Sequence, residues 1–147
     1  MLLKNKVAVV TGCNRGIGKK IIEVFSSNGA NIFACVRKID DNFQDYIARL
    51  SEKNQNIITP IEIDFEFSES VKLGAKTILE KKIPIDILIN NAGIIDNSLF
   101  QMTSSNSLKK IFDINYFSLT EFTQIILKGI IKNKKGSIVY VSSTSGI

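Results

Sequence analysis

The 147-residue chain has room for one domain of ordinary size with a real hydrophobic core and little room for two. Its 44% apolar and 22% charged residues are those of a soluble globular protein, and no stretch nears the ~20 uninterrupted apolar residues of a membrane span. The lack of any histidine excludes a Ser-His-Asp relay and a Cys-His zinc site, while a net charge of +5 suits an anionic small molecule or an acidic protein as well as nucleic acid.

The opening MLLKNKVAVVTG starts basic but has no apolar core ending at a small-residue cleavage site, which predicts a cytoplasmic protein. Residues 6–11, KVAVVT, read as a first strand, and TGCNRGIG follows it directly. That loop opens a helix predicted over about residues 16–28, so Gly12, Gly16 and Gly18 let the backbone turn tightly and approach a pyrophosphate at the helix N-terminus. Ile17, Ile21, Ile22 and Phe25 form an apolar stripe at helical spacing that marks packing, and Gly29 is placed to close the helix.

Residues 31–36, NIFACV, form the second predicted strand. Cys13 in the glycine loop and Cys35 on this strand lack the spacing of a disulfide framework or a metal clamp and read as reduced filler. No carboxylate stands at the strand's end, where Val36 is followed by Arg37 and Lys38. Arg37, with Arg15 from the glycine loop, either clamps a phosphate through its guanidinium fork or is an ordinary solvated cation.

A helix over residues 43–54 leads to a third strand, residues 56–63, in which Pro60 predicts an edge or a bulge because it cannot donate to a ladder. A helix over residues 69–82 precedes the fourth strand, residues 86–90, which runs into NNAG. There Asn90 and Asn91 order the loop through side-chain bonds to backbone, and Ala92 and Gly93 let a ligand come close. One long helix is expected over residues 107–133. Its mid-helix Asn115 has below-average propensity and invites a functional account or a bond to a neighbouring strand.

Lys132, Lys134 and Lys135 fall at that helix's end, where they complement its dipole. Without interleaved aromatics they do not make a nucleic-acid groove, and no nucleic acid is expected as a partner. The last strand, residues 137–143, brings Ser142 and Ser143 to its C-terminal end, with alternation pointing them opposite ways.

Strand-length apolar runs alternating with longer amphipathic stretches predict an α/β fold: a doubly wound parallel sheet with right-handed crossovers and a ligand crevice beyond the strand C-termini.

TGxxxGxG, NNAG, Asp64 after the third strand and Asn115 in FDIN together resemble the short-chain dehydrogenase/reductase family, in order and position along the whole chain. The resemblance implies a single Rossmann domain over residues 1–147, with five strands of an expected seven. It implies a nicotinamide coenzyme held by Gly12, Asn14, Arg15, Gly16, Ile17, Gly18, Arg37, Asp64, Phe65, Asn91, Ala92 and Gly93. Asp64 would accept from the adenine amino group, its alternative being to cap the next helix. Because the second strand offers no acidic residue to a ribose hydroxyl, NADP (as NADPH) is expected over NAD.

The implied activity is reduction of a ketone to an alcohol on a small-molecule substrate, most like the 3-oxoacyl-acyl-carrier-protein reductases. In those relatives the acidic carrier would meet the basic run KGIIKNKKG at residues 128–136. Ser143, three residues before Gly146, matches the family's serine that donates to a developing oxyanion, unless it only makes a strand-end turn. Asn115 matches the asparagine that holds a relay water.

The family's Tyr-x-x-x-Lys pair, expected roughly a dozen residues past Ser143 so that both side chains share one helix face, is not in the sequence. Tyr46, Tyr116 and Tyr140 have no lysine four residues on. The expectation is therefore the N-terminal part of a longer reductase, from a homo-oligomeric family, with no turnover of its own. The alternative is a non-catalytic dinucleotide-binding fragment or pseudoenzyme. A methyltransferase-type domain is disfavoured by NNAG and the hydroxyl-bearing last strand.

Overall fold

The computed structural model describes residues 1–143. In chain order the elements are β1 (Val7–Thr11), α1 (Gly16–Ser27), β2 (Asn31–Val36), α2 (Asp41–Asn54), β3 (Ile58–Glu62), α3 (Ser68–Glu80) and β4 (Ile87–Asn90). A short 3-10 turn (Phe100–Met102), α4 (Ser105–Phe112), a π turn (Asp113–Ser118), α5 (Leu119–Lys132) and β5 (Ser137–Tyr140) complete them. All the strand pairs are parallel, in the order β3-β2-β1-β4-β5, the predicted α/β architecture.

The two-residue period of the strands sorts their side chains into two cores. From β1 and β2, Val7, Val9, Phe33 and Cys35 enter one core, with α3 and α5 over it. Ala8, Val10, Ile32, Ala34 and Val36 enter the other, with α1 and α2. Phe122 and Ile126 of α5 are fully buried, and Phe65, just past β3, meets Phe122 edge to face at 5.5 Å. Phe65 thus pins the loop beyond β3 to the core.

The differences from the sequence expectation have local causes. Residues 107–133 do not form one helix; α4 starts at Ser105, behind a Ser104 cap, and the π turn around Asn115 separates it from α5. β5 ends at Tyr140 rather than residue 143, because its last bond to β4 runs from Val141 N–H to Asn90 O, where β4 itself ends. β3 starts at Ile58 because the Asn56 amide is spent on Ser26 O and Ala30 O, turning a corner before the ladder. α2 begins two residues early because the Asp40 carboxylate caps it, accepting from Phe43 N–H at 2.8 Å.

Other expectations stand. Pro60 lies on the edge strand, and Gly29 closes α1 at φ +88° with Ala30 N–H bonded to Phe25 O. Both cysteines are free and buried, and burial pushes the Cys13 thiol up. Ile138, Val139 and Tyr140 of the edge strand β5 are exposed. Gly146 lies outside the described residues. No described helix is long and apolar enough to cross a membrane, and the described residues hold no acidic, Cys or His cluster suited to a metal.

At the N-terminal end of the sheet a partly buried carboxylate ties three segments. Asp86 accepts from Lys6 Nζ (2.8 Å), Val7 N–H (3.0 Å) and Asn133 Nδ2 (3.0 Å), joining the starts of β1 and β4 to the end of α5. Burial raises its pKa, but the bonds from Lys6, Val7 and Asn133 outweigh that and leave it below the ordinary value of 3.8. A folded-state pKa below the unfolded one adds stability that is present above the unfolded value and lost as pH falls through the folded one. Asp86→Asn should therefore cost roughly 1–3 kcal/mol in urea unfolding at pH 7. The gap to wild type should be flat above about pH 5 and should narrow on acidification.

Candidate functional site

Every strand delivers its C-terminal end to the same side of the sheet. Between β2 and β4 the neighbours of β1 belong to opposite winding directions, so the loops after β1 and β4 diverge and open a crevice. A cleft of about 630 Å³ occupies that place. Its lining includes Gly12, Asn14, Arg15, Gly16, Ile17, Arg37, Asp64, Phe65, Asn91, Ala92 and Gly93, all of which the sequence had singled out. Ile63, Ile94, Ile95 and Ile114 add apolar walls that the sequence reading did not identify.

The floor of the cleft is a lock between two loops. Thr11, the last residue of β1, is fully buried, and its Oγ1 accepts from Asn91 N–H and Ala92 N–H, both at 2.9 Å. In return Asn91 Nδ2 donates to Thr11 O (3.0 Å) and Gly12 O (3.2 Å). The glycine loop and NNAG are thus one cross-braced unit. Gly12, at φ +71°, admits this approach because a Cβ there would lie 3.0 Å from Ala92 Cα and from Asn91 Nδ2.

Gly18 does not line the cleft. It is buried beneath the loop, and a Cβ on it would stand 2.0 Å from Gly12 O, so it lets α1 press against the end of β1 instead of admitting a ligand. Gly16, at φ +54°, is the converse case: a Cβ there would meet nothing within 4 Å. The outer side of the loop is open, and the first-turn amides of α1 have no intrahelical acceptors. No acidic residue occupies that turn, so the positive end of the helix dipole is left to an outside anion.

Arg15 caps this helix by backbone position alone and is exposed. Arg37 is exposed beyond β2, with its Nε 3.8 Å from Asp64 Oδ2. Asp64 does not cap α3, whose cap position is Phe67; its Oδ1 accepts from Glu66 N–H in a local turn, and its own N–H donates to Ser70 Oγ.

Asn115 and Ser143 lie outside the cleft lining. Asn115 sits in the π turn and bridges both backbone groups of Ile94, accepting from its N–H and donating to its O, each at 2.8 Å. The bond to a neighbouring segment foreseen for it exists, although the segment is a loop and not a strand. Such wide turns concentrate at functional sites, and this one fastens the loop that carries Gly93. Asn90 turns away from the cleft toward α5 and donates to Thr123 Oγ1 at 2.8 Å, while its Oδ1 has no partner among the described residues. Ser142 and Ser143 follow β5 and are exposed.

The sequence reading missed the role of the Thr11 hydroxyl; a hydroxyl residue closing an otherwise aliphatic strand just before Gly12 was the available signal.

Comparison with known proteins agrees with this architecture. A family model described as short chain dehydrogenase matches residues 6–147. The chain is 33% identical to dehydrogenase/reductase SDR family member 7B of Xenopus laevis, over 98% of this chain and 46% of that protein. It is 31% identical to a 3-oxoacyl-acyl-carrier-protein reductase of Chlamydia muridarum, over 99% of this chain and 58% of that one. The chain thus spans about half the length of the curated relatives it matches. Among solved structures, L-sorbose reductase from Gluconobacter frateurii, complexed with NADPH and L-sorbose, shares the fold at a TM-score of 0.90 and 24% identity, over all of this chain and 56% of that one.

The cross-brace is directly testable. Thr11→Val removes the acceptor of two partly buried amides and should lower unfolding free energy by about 2 kcal/mol. Thr11→Ser, which keeps the hydroxyl, should lose less than half as much in the same urea titration.

Proposed function

The chain belongs to the short-chain dehydrogenase family, and from that premise we propose that its cleft binds NADPH in preference to NADH for reduction of a ketone. The observation that carries this reading is the anion-ready start of α1 beside Arg37, with no carboxylate closing β2. A dinucleotide fits what is there: the loop is open outside Gly16, and Gly12 brings NNAG and the glycine loop together without a side chain between them.

On this reading the first-turn amides and Arg15 hold the pyrophosphate, and Arg37 takes the ribose 2′-phosphate in a fork of parallel hydrogen bonds. Asp64 and Phe65 line the adenine end, with Asn91, Ala92 and Gly93 along the middle of the cleft. The bound nicotinamide supplies the hydride. In the whole protein Ser143 would donate a hydrogen bond to the carbonyl oxygen as negative charge grows there, keeping its proton, and Asn115 holds the Ile94 loop in place.

Within these 147 residues no tyrosine carries a lysine four positions later, so the stretch binds coenzyme without turning it over by itself. The relatives named 3-oxoacyl-acyl-carrier-protein reductase favour an acyl ketone as the substrate class of the whole protein, and Lys128, Lys132, Lys134 and Lys135 suit an acidic carrier.

Fluorescence titration of the 147-residue chain tests the binding half. NADPH should bind at least about tenfold more tightly than NADH, and Arg37→Ala should erase most of that difference while leaving NADH within about twofold. Equal affinities in the wild-type chain would remove the NADP assignment, and binding of neither coenzyme would remove the dinucleotide reading altogether.

A further inference from the structure

We propose that Glu62, the last residue of edge strand β3, is a positioning residue for coenzyme discrimination: its carboxylate fixes the turn after β2 in the shape that presents Arg37 to the 2′-phosphate. The inference rests on the NADPH reading above and extends it to a residue outside the cleft lining.

The turn from Arg37 to Asp40 is held firmly at both ends. At the start, Val36 is in register with Glu62, and Val36 O accepts from Ile63 N–H at 2.8 Å. At the far end Asp40 caps α2 through its side chain and accepts from Gln44 N–H through its carbonyl. Between these anchors, Ile39 N–H donates to Glu62 Oε2 at 2.9 Å. That bond ties the middle of the turn across to β3, two residues after Arg37. Asp64, two residues further along the chain from Glu62, stands 3.8 Å from the Arg37 guanidinium. The end of β3 therefore reaches the phosphate-reading turn twice, once through its backbone and once through its cation.

A carboxylate beside a phosphate site repels the ligand, so a purely electrostatic Glu62 would weaken NADPH binding. As a tether it does the opposite: it removes freedom from the turn before the ligand arrives, and the ordering cost of binding falls. Glu62 is exposed and absent from both hydrophobic cores, so its loss leaves the packing intact.

Three substitutions separate these roles. Glu62→Ala removes charge and acceptor, Glu62→Asp keeps the charge but withdraws the acceptor by one methylene, and Glu62→Gln keeps the acceptor without the charge. Dissociation constants for NADPH, NADH and 2′,5′-ADP are measured on each 147-residue chain beside its thermal midpoint. The NADPH-to-NADH preference should fall about fivefold in the Ala and Asp variants, with 2′,5′-ADP weakened alongside and NADH unchanged. The Gln variant should keep or raise the preference, and all three should melt within about 2 °C of wild type.

An unchanged preference in the Ala and Asp variants overturns the proposal. So does a Gln variant that falls with them, or an equal loss for both coenzymes. A wild-type chain that binds neither coenzyme, or both alike, instead fails the underlying reading, a result visible before any variant is made.

Discussion

The hydroxyl of Thr11 is the constraint on which the cleft depends. A buried oxygen that accepts from two amides of one loop, while that loop's asparagine donates back to the carbonyls of the other, leaves neither loop an independent path. Both loops must turn sharply off neighbouring parallel strands, and loops of that kind are ordinarily the mobile parts of an α/β fold. Here the strands lend them rigidity. A ligand whose phosphates and far end touch different loops meets a surface that is already assembled, and the entropy of bringing the halves together is spent during folding.

The rest of the architecture serves this brace by fixing where the strands end. Alternating side chains commit each strand to two cores at once, so a slip of one residue would exchange the aromatic-rich face with the alanine-rich one. Asp86 fixes the opposite end of the sheet through three donors, and Phe65 holds the loop beyond β3 from beneath. Gly18 completes the arrangement by omission: only a residue without a side chain lets α1 approach Gly12 closely enough for its amides to face the cleft.

Much of this was legible in the sequence because it was written in residues with one strong preference. Gly12 and Gly16 after an aliphatic run, a proline in a strand and Asn91 each admit few conformations, and each lies where that logic places it; Asn90 instead donates to Thr123, and Gly18 packs beneath the loop. What was not legible depended on distant partners. The break in the long helix follows no proline or glycine; its wide turn accompanies an asparagine whose partner, Ile94, is 21 residues earlier. Asp64 read as facing a ligand, with a helix cap as the alternative, and only the fold shows its carboxylate between a local turn and Arg37. Glu62 carried no local signal at all, since its partner is a backbone amide on the neighbouring connection. Serines at the end of β5 were placed by strand alternation, yet the ladder stops before them because its partner strand does.

The placement of the two thiols has a chemical consequence of its own. Cys13 packs among the residues under α1 and α2, while Cys35 packs on the α3 and α5 side, so the two side chains enter different cores even though Cys13 N–H donates to Cys35 O at 3.2 Å. Burial pushes both thiols up, which disfavours the reactive thiolate at either position. The glycine loop thus carries a cysteine at its heart as a buried thiol and not as an exposed nucleophile.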